Sequence, residues 1–324
     1  MPDVVALGEL IIDFLSTDTD AGLAKAEHFT KAPGGAPANV AVAVVRLGKS
    51  AGFIGRVGDD PFGRFLAEVI AREGVDVTGL RFDPERRTTL AMIATRSDGS
   101  KDITFWRNPG ADMFLSKGDI PEEMVRRARA FHFGSISMID EGPREATLHG
   151  AKLARGSGCL VSYDPNYRPA LWNDAGRARE IIRAGFERAD VAKVSEEEWE
   201  FVTGCDGFEE GAKRILERGV KLVLVSRGEK GAAFFTRKTS GAVEGFRVEV
   251  AETIGAGDAF TGSVLVDLID RCKGARDIEG LAGADLEGIV RRANAAGALT
   301  CTKYGAIPAL PTREEVSRFL QDRT

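Results

Sequence analysis

Basic charge is what this sequence has too little of to grip a polyanion: 44 Lys and Arg stand against 49 Asp and Glu, a formal net charge of −5. Nucleic-acid binding needs a concentrated basic face. The clusters present, such as Arg126, Arg127 and Arg129, alternate with apolar residues as a solvated helix face does. Long hydrophobic runs are missing too, and none approaches the roughly 20 residues that span a bilayer. The opening MPDVVALGELIIDF carries acids where a secretory leader would be basic, so a cytoplasmic location is expected. Cysteine and histidine are sparse. Cys159, Cys205, Cys272 and Cys301 lie far apart without a C-x-x-C, and His28, His132 and His149 are equally scattered. That spacing argues against a zinc site and leaves reduced, buried thiols.

What is present is a rhythm. VVAL, AGFIG, AFHFGSISM, CLVSYD, DVAKVS and KLVLVSRG read as short buried strands, and most are followed by an amphipathic helical stretch. The alternation predicts an α/β fold with a mainly parallel sheet, whose ligands gather where strands end and helices begin. TTLAMIATRSDGSKDITFW interrupts the rhythm with two alternating runs around Asp98-Gly99, a β-hairpin signal. Together with the segment between Phe14 and Lys31 it predicts a small β-sheet standing off the main one. No repeat, low-complexity tract or long linker divides the chain. One domain over 1–324 is expected, with inserted lid elements at approximately 14–33 and 87–108.

Two small-residue stretches carry chemistry. In ETIGAGDAF, residues 252 to 260, Gly255, Ala256 and Gly257 precede Asp258, and Phe260, Val264, Leu265, Leu268 and Ile269 then share one helical face. The small residues therefore sit at a helix N-terminus, where free N–H groups and the dipole favour an anion. Asp258 is either a reactive acid beside that cradle or merely the helix cap. Phe260 spoils a dinucleotide fingerprint, and no G-x-x-x-x-G-K-[ST] occurs. In APGGAPANVAVAVVRLG, Gly34 and Gly35 precede Asn39, near which a second helix is expected to begin. Asn39 is likewise a ligand or a cap.

GGAPANVA followed by GRVGDDPFG resembles the first signature of the ribokinase-like (PfkB) carbohydrate kinases, and ETIGAGDAFTG resembles the second. Gly35 and Gly255 stand 220 positions apart, in the family's order. The resemblance extends through GELIID, KVSEEEWEFVTG, LVSRGEKGA and ANAAGALTCTKYGA, so it covers essentially the whole chain. It implies a three-layer α/β/α kinase with a β-sheet lid, using ATP and magnesium. Asp258 would be the base that takes a proton from a sugar hydroxyl. Gly255, Ala256, Gly257 and the Asp258 N–H would form the anion hole. Phosphoryl transfer depends on positioning and charge stabilisation, which such a pairing supplies.

Further roles are implied by the same resemblance. Asp13, Gly34, Gly35 and Asn39 match the sugar-binding positions. Ser226 and Gly228 match the phosphate or ribose contacts, Asn294 and Gly297 the helix flanking adenine, and Lys193 a nucleotide contact or a solvent-facing strand end. Glu198 matches the acid of the N-x-x-E motif that organises magnesium through water, but Ser195 stands where the family has Asn. A surface charge run with Glu196 and Glu197 is the alternative for it. Glu252 stands where the second signature usually begins with Asp, at a monovalent-cation site, so weak potassium activation is expected.

FHFGSIS, YDPNYRPALW and FWRNPGADMFL resemble the fructokinases within the family. The resemblance places Phe105, Arg107 and Arg168 at the sugar, with arginine suited to forked contacts. D-fructose phosphorylated at its 6-hydroxyl is the expected reaction, and a homodimer through the β lid the expected assembly. A 2-keto-3-deoxygluconate kinase, a ribokinase or nucleoside kinase, and a silent sugar-sensing protein remain open alternatives at this point.

Overall fold

Residues 1–18, 20–96 and 101–323 are described by a computed structural model. The chain opens with β1 (Val4–Leu7), β2 (Ile11–Ser16) and β3 (Phe29–Gly34), then α1 (Ala36–Arg46), β4 (Ala51–Gly58), α2 (Pro61–Arg72) and β5 (Asp76–Asp83). β6 (Leu90–Thr95) and β7 (Lys101–Trp106) follow, then α3 (Glu122–Arg127), β8 (Ala130–Gly134), α4 (Glu141–Gly156) and β9 (Leu160–Asp164). Next come α5 (Ala175–Phe186), β10 (Val191–Ser195), α6 (Glu196–Thr203), α7 (Phe208–Glu217), β11 (Leu222–Ser226), β12 (Ala232–Phe235) and β13 (Ser240–Val243). The chain finishes with α8 (Ala256–Arg271), α9 (Ala275–Ile278), α10 (Gly283–Cys301) and α11 (Arg313–Gln321).

Among the described residues the main sheet has nine strands in the order β13-β12-β11-β10-β9-β8-β1-β4-β5, parallel except at β12 and β13. Its central strands are apolar without interruption because both faces are covered, as parallel sheets require. Val4 and Ala6 of β1 face a core shared with α1, α8 and α10, while Val5 and Leu7 face a second core shared with α3, α4 and α5. Leu222 and Leu224 against Val223 and Val225 repeat that division in β11. The result is the three-layer α/β/α arrangement that was expected. Strand order reverses at β1, with β4 to one side and β8 to the other, and a ligand crevice opens at such a reversal.

A second, four-stranded sheet has the order β3-β2-β6-β7, with β2 and β6 parallel and both outer pairs antiparallel. The Asp98-Gly99 turn expected between β6 and β7 lies outside the described residues. Ile11, Ala91 and Ile93, with Leu15, Ile103 and Phe105, form one apolar face of this sheet together with Ile254 from the main body. On the other face, Phe14 meets Phe62 of α2 edge-on at 5.9 Å.

Helix α1 begins at Ala36, three residues before the expected start, because Pro37 fits a first helical turn and Gly35, at φ +109°, ends the preceding extended chain. The first half of α8, Asp258 to Leu265, is buried on every side rather than along one stripe. Close approach of α1 makes this possible, since a Cβ at Gly262 would come within 2.7 Å of the Ala43 Cβ. All four cysteines are unpaired. Among the described residues no helix is long and apolar enough to cross a membrane. We expect Gly262→Ala to force α1 and α8 apart at a cost of about 1–3 kcal/mol, read as a lower urea midpoint with an unchanged slope.

Candidate active site

The two small-residue loops meet. Gly255, at φ +83°, is the cap residue of α8, which puts Asp258 in the first turn of the helix and excludes the capping role. The first intrahelical bond of α8 runs from the Ala259 N–H to the Gly255 carbonyl at 2.8 Å, so the N–H groups of Gly257 and Asp258 precede it and point out of the helix end. Asn39, inside α1 rather than at its cap, donates from Nδ2 to Asp258 Oδ2 at 2.8 Å. Burial pushes the Asp258 carboxyl up to about 6, against the opposing pull of that hydrogen bond.

A cleft of about 850 Å³ runs from this helix end in two directions. Toward the small sheet it is walled by Asp13, Gly35, Asn39, Ile93, Phe105 and Arg168. Asp13 lies in β2, and burial pushes its carboxyl up to about 7 although Arg168 draws it down. Gly34 leaves the space that the Asp13 carboxylate fills, since a Cβ there would lie 2.1 Å from Oδ2. In the other direction the walls are Lys193 and Ser195 of β10 and Ser226 to Glu229 after β11.

Lys193 is buried, not solvent-facing, and its Nζ lies 3.1 Å from Asp164 Oδ2. A Cβ at Gly257 would stand only 3.1 Å from that Nζ, so glycine lets the ammonium lie beside the helix end. Burial works to lower the Lys193 pKa, but Asp164, Glu198 and Asp258 outweigh it and keep the group charged. Glu198 is buried, which excludes the surface-run reading. Its Oε1 accepts from the Ser195 N–H and Oγ at 2.9 and 3.0 Å, and its Oε2 from the Tyr167 N–H at 2.7 Å. Burial, followed by the Asp164 charge, raises its pKa.

Other expected residues stand elsewhere. Arg107 does not line the cleft. Its Nε donates to Asp112 Oδ2 at 2.6 Å and its Nη1 to Asp140 Oδ2 at 3.2 Å, in a buried cluster behind the wall. These acids hold the guanidinium that was expected at the sugar. Asn294 spends its Nδ2 on the Val243 and Glu244 carbonyls at 3.2 and 3.1 Å, fastening α10 to the end of β13. Gly297 packs α10 against the start of α8, where a Cβ would meet the Ala256 carbonyl at 3.2 Å. Glu252 accepts from the Gly305 N–H at 3.0 Å, outside the cleft wall. Asp164 and Glu9 went unnoticed in the sequence. Each ends or follows a buried strand at the sheet's carboxyl edge, and that position was the available signal.

The arrangement offers a base, a helix-end anion cradle and an adjacent ammonium. Those elements suit an anionic group transferred onto a hydroxyl. Among the described residues no three acids, histidines or cysteines are grouped to hold a metal directly.

Comparison with known proteins supplies a family and close structural relatives. The family described as pfkB family carbohydrate kinase matches residues 1–313. Fructokinase-1 of Oryza sativa subsp. japonica is 45% identical over 319 residues, 98% of this chain and 97% of that one. A fructokinase from Xylella fastidiosa solved with bound ATP superposes with a TM-score of 0.91 at 32% identity, covering 100% of this chain and 99% of that chain. A fructokinase from Vibrio cholerae O395, solved with fructose, ADP and calcium ion, gives a TM-score of 0.86 at 35% identity and 99% coverage of both chains.

Asp13 also generates a stability prediction. Its carboxyl pKa is higher in the folded chain (about 7) than its ordinary 3.8, so stability is lost as pH rises from near 4 through about 7. Asp13→Asn removes that loss. Its melting temperature should match the parent near pH 4 and exceed it at pH 8, by an amount corresponding to a few kcal/mol, in scanning calorimetry without ligands.

Proposed function

The chain belongs to the pfkB family of carbohydrate kinases, and on that premise we propose that it is an ATP-dependent fructokinase acting on the 6-hydroxyl of D-fructose. The observation that carries this reading is the placement of a buried Asp258 between Asn39 and the open N-terminus of α8. Bound ATP supplies the phosphoryl group, and magnesium neutralises phosphate charge. Asp258 takes the proton as the sugar oxygen bonds to phosphorus and the bond to the ADP oxygen breaks. The Gly255, Ala256, Gly257 and Asp258 backbone cradles the moving group, and Lys193 adds a fixed positive charge beside it.

Asp13, Gly34, Gly35, Asn39, Phe105 and Arg168 form the sugar end; Lys193, Ser226 and Gly228 form the nucleotide end. A neutral polyol fits a wall of mixed donors and acceptors, whereas Asp13 disfavours a substrate carboxylate. Glu198 would help hold a magnesium ion through water, and its oxygens brace Ser195 and Tyr167. Asn294 and Gly297 act on the nucleotide side indirectly, by seating α10. The small sheet serves as lid of a single domain, and pairing of two lids in a dimer would cover its Trp106, which is 60% exposed. Four unpaired cysteines support a cytoplasmic setting.

Asp258→Asn keeps the shape and removes the proton acceptor, so kcat should fall by at least about 100-fold with fructose affinity little changed. Because the ionised carboxylate is the active form, the parent's kcat should rise with pH through about 6 and level off above it. A variant keeping more than about a tenth of the activity removes Asp258 from its role.

A substrate panel decides the sugar. Fructose should exceed 2-keto-3-deoxygluconate in kcat/KM by at least about tenfold, roughly 1.4 kcal/mol. Run in sodium and in potassium, the same assay should show weak cation dependence, because the longer Glu252 is tied to Gly305. Faster turnover of the keto acid refutes the substrate, and about tenfold potassium stimulation refutes the cation reading.

A further inference from the structure

Glu9 lies in the turn between β1 and β2 and is 4% exposed. Its backbone presses against Gly35, where a Cβ would come within 2.3 Å of the Glu9 carbonyl oxygen. Its side chain then reaches round the same turn, and Oε1 accepts the Ala36 N–H at 3.1 Å. Ala36 is the first residue of α1, and an acceptor there meets both an unpaired donor and the positive end of the helix dipole. The next bond along, from the Asn39 N–H to the Gly35 carbonyl at 2.9 Å, begins the helix. Asn39 in turn holds Asp258. The remaining Glu9 oxygen, Oε2, is buried without a hydrogen-bond partner among the described residues, as is Nη2 of Arg107. Arg107 faces Glu9 from a cluster with Asp112 and Asp140, and burial of Glu9 pushes its carboxyl up to about 7. A group kept there at such cost calls for a reason beyond filling space.

We infer that Glu9 is a positioning residue for the sugar end of the cleft: its bond to Ala36 fixes the Gly34–Gly35 turn and, through α1, sets Asn39 against Asp258. In its consequence for turnover this rests on the fructose reading. The contact itself does not.

Three variants separate the possibilities. Glu9→Gln keeps an oxygen that can accept from Ala36; Glu9→Asp keeps the charge but loses the reach; Glu9→Ala loses both. Hydrogen exchange over residues 34–40, without any ligand, should be faster by about tenfold in Glu9→Asp and Glu9→Ala and near parental in Glu9→Gln. With fructose, kcat/KM should fall by about tenfold or more in the Asp and Ala variants, stay within about threefold in Gln, and leave the KM for ATP within about twofold throughout. Unchanged exchange in Glu9→Asp overturns the inference, as does a Gln variant as impaired as Asp. A uniform loss that also raises the KM for ATP reveals a merely structural residue and overturns it too. If Glu9→Ala does not fold, Glu9→Asp against Glu9→Gln still decides. A parent chain inactive on fructose refutes the substrate reading, and the exchange measurement then settles Glu9 alone.

Discussion

The hydrogen bond from Asn39 to Asp258 joins the two halves of this molecule, and the organisation of the cleft depends on it. Each partner stands in the first turns of a helix that a glycine begins, and each helix is buried against the other. The bond forms only because α1 and α8 approach at a glycine–alanine contact. Packing of small residues thus fixes where the Asp258 carboxylate stands, and such fixed alignment is what phosphoryl transfer depends on. A looser interface would preserve the fold and lose the alignment.

Charge is the second constraint. Glu9, Asp13, Asp164, Glu198 and Asp258 are all buried near one cleft, and Lys193 and Arg168 answer only part of that charge. Burial raises the carboxyl pKa of Glu9, Asp13, Glu198 and Asp258, so holding them charged there costs free energy. Hydroxyl donors and a cation would relieve it.

Much of this was legible in the residues. Local pattern marks Asp258 with its glycines and Asn39 as helix-start residues, reactive or capping, and the family resemblance is what singles out their roles and that of Asp13. The parallel sheet was readable from uninterrupted apolar strands, and the small sheet from two alternating runs. Arg107 was misread because its partners, Asp112 and Asp140, come to it through tertiary folding, and no local pattern tells a paired arginine from a free one. Asn294 and Gly297 lie in the helix expected beside the nucleotide, and their packing, Asn294 on the end of β13 and Gly297 on α8, shows only in the folded chain. Glu9 and Asp164 were passed over because an acid after a strand looks ordinary until its burial is known.

The small sheet carries a consequence for how the chain reaches its native state. Its central pair joins Ile12 to Leu90, 78 positions apart, while its outer pairs are formed by near neighbours. Closing so long a loop costs entropy that grows with the logarithm of its length, and that cost falls before the contact returns anything. Two local pairs, β2 with β3 and β6 with β7, can therefore gather early, whereas their union must wait for β1, β4 and β5 to bring them side by side. The small sheet is thus completed by the main one, which sets its two local pairs side by side.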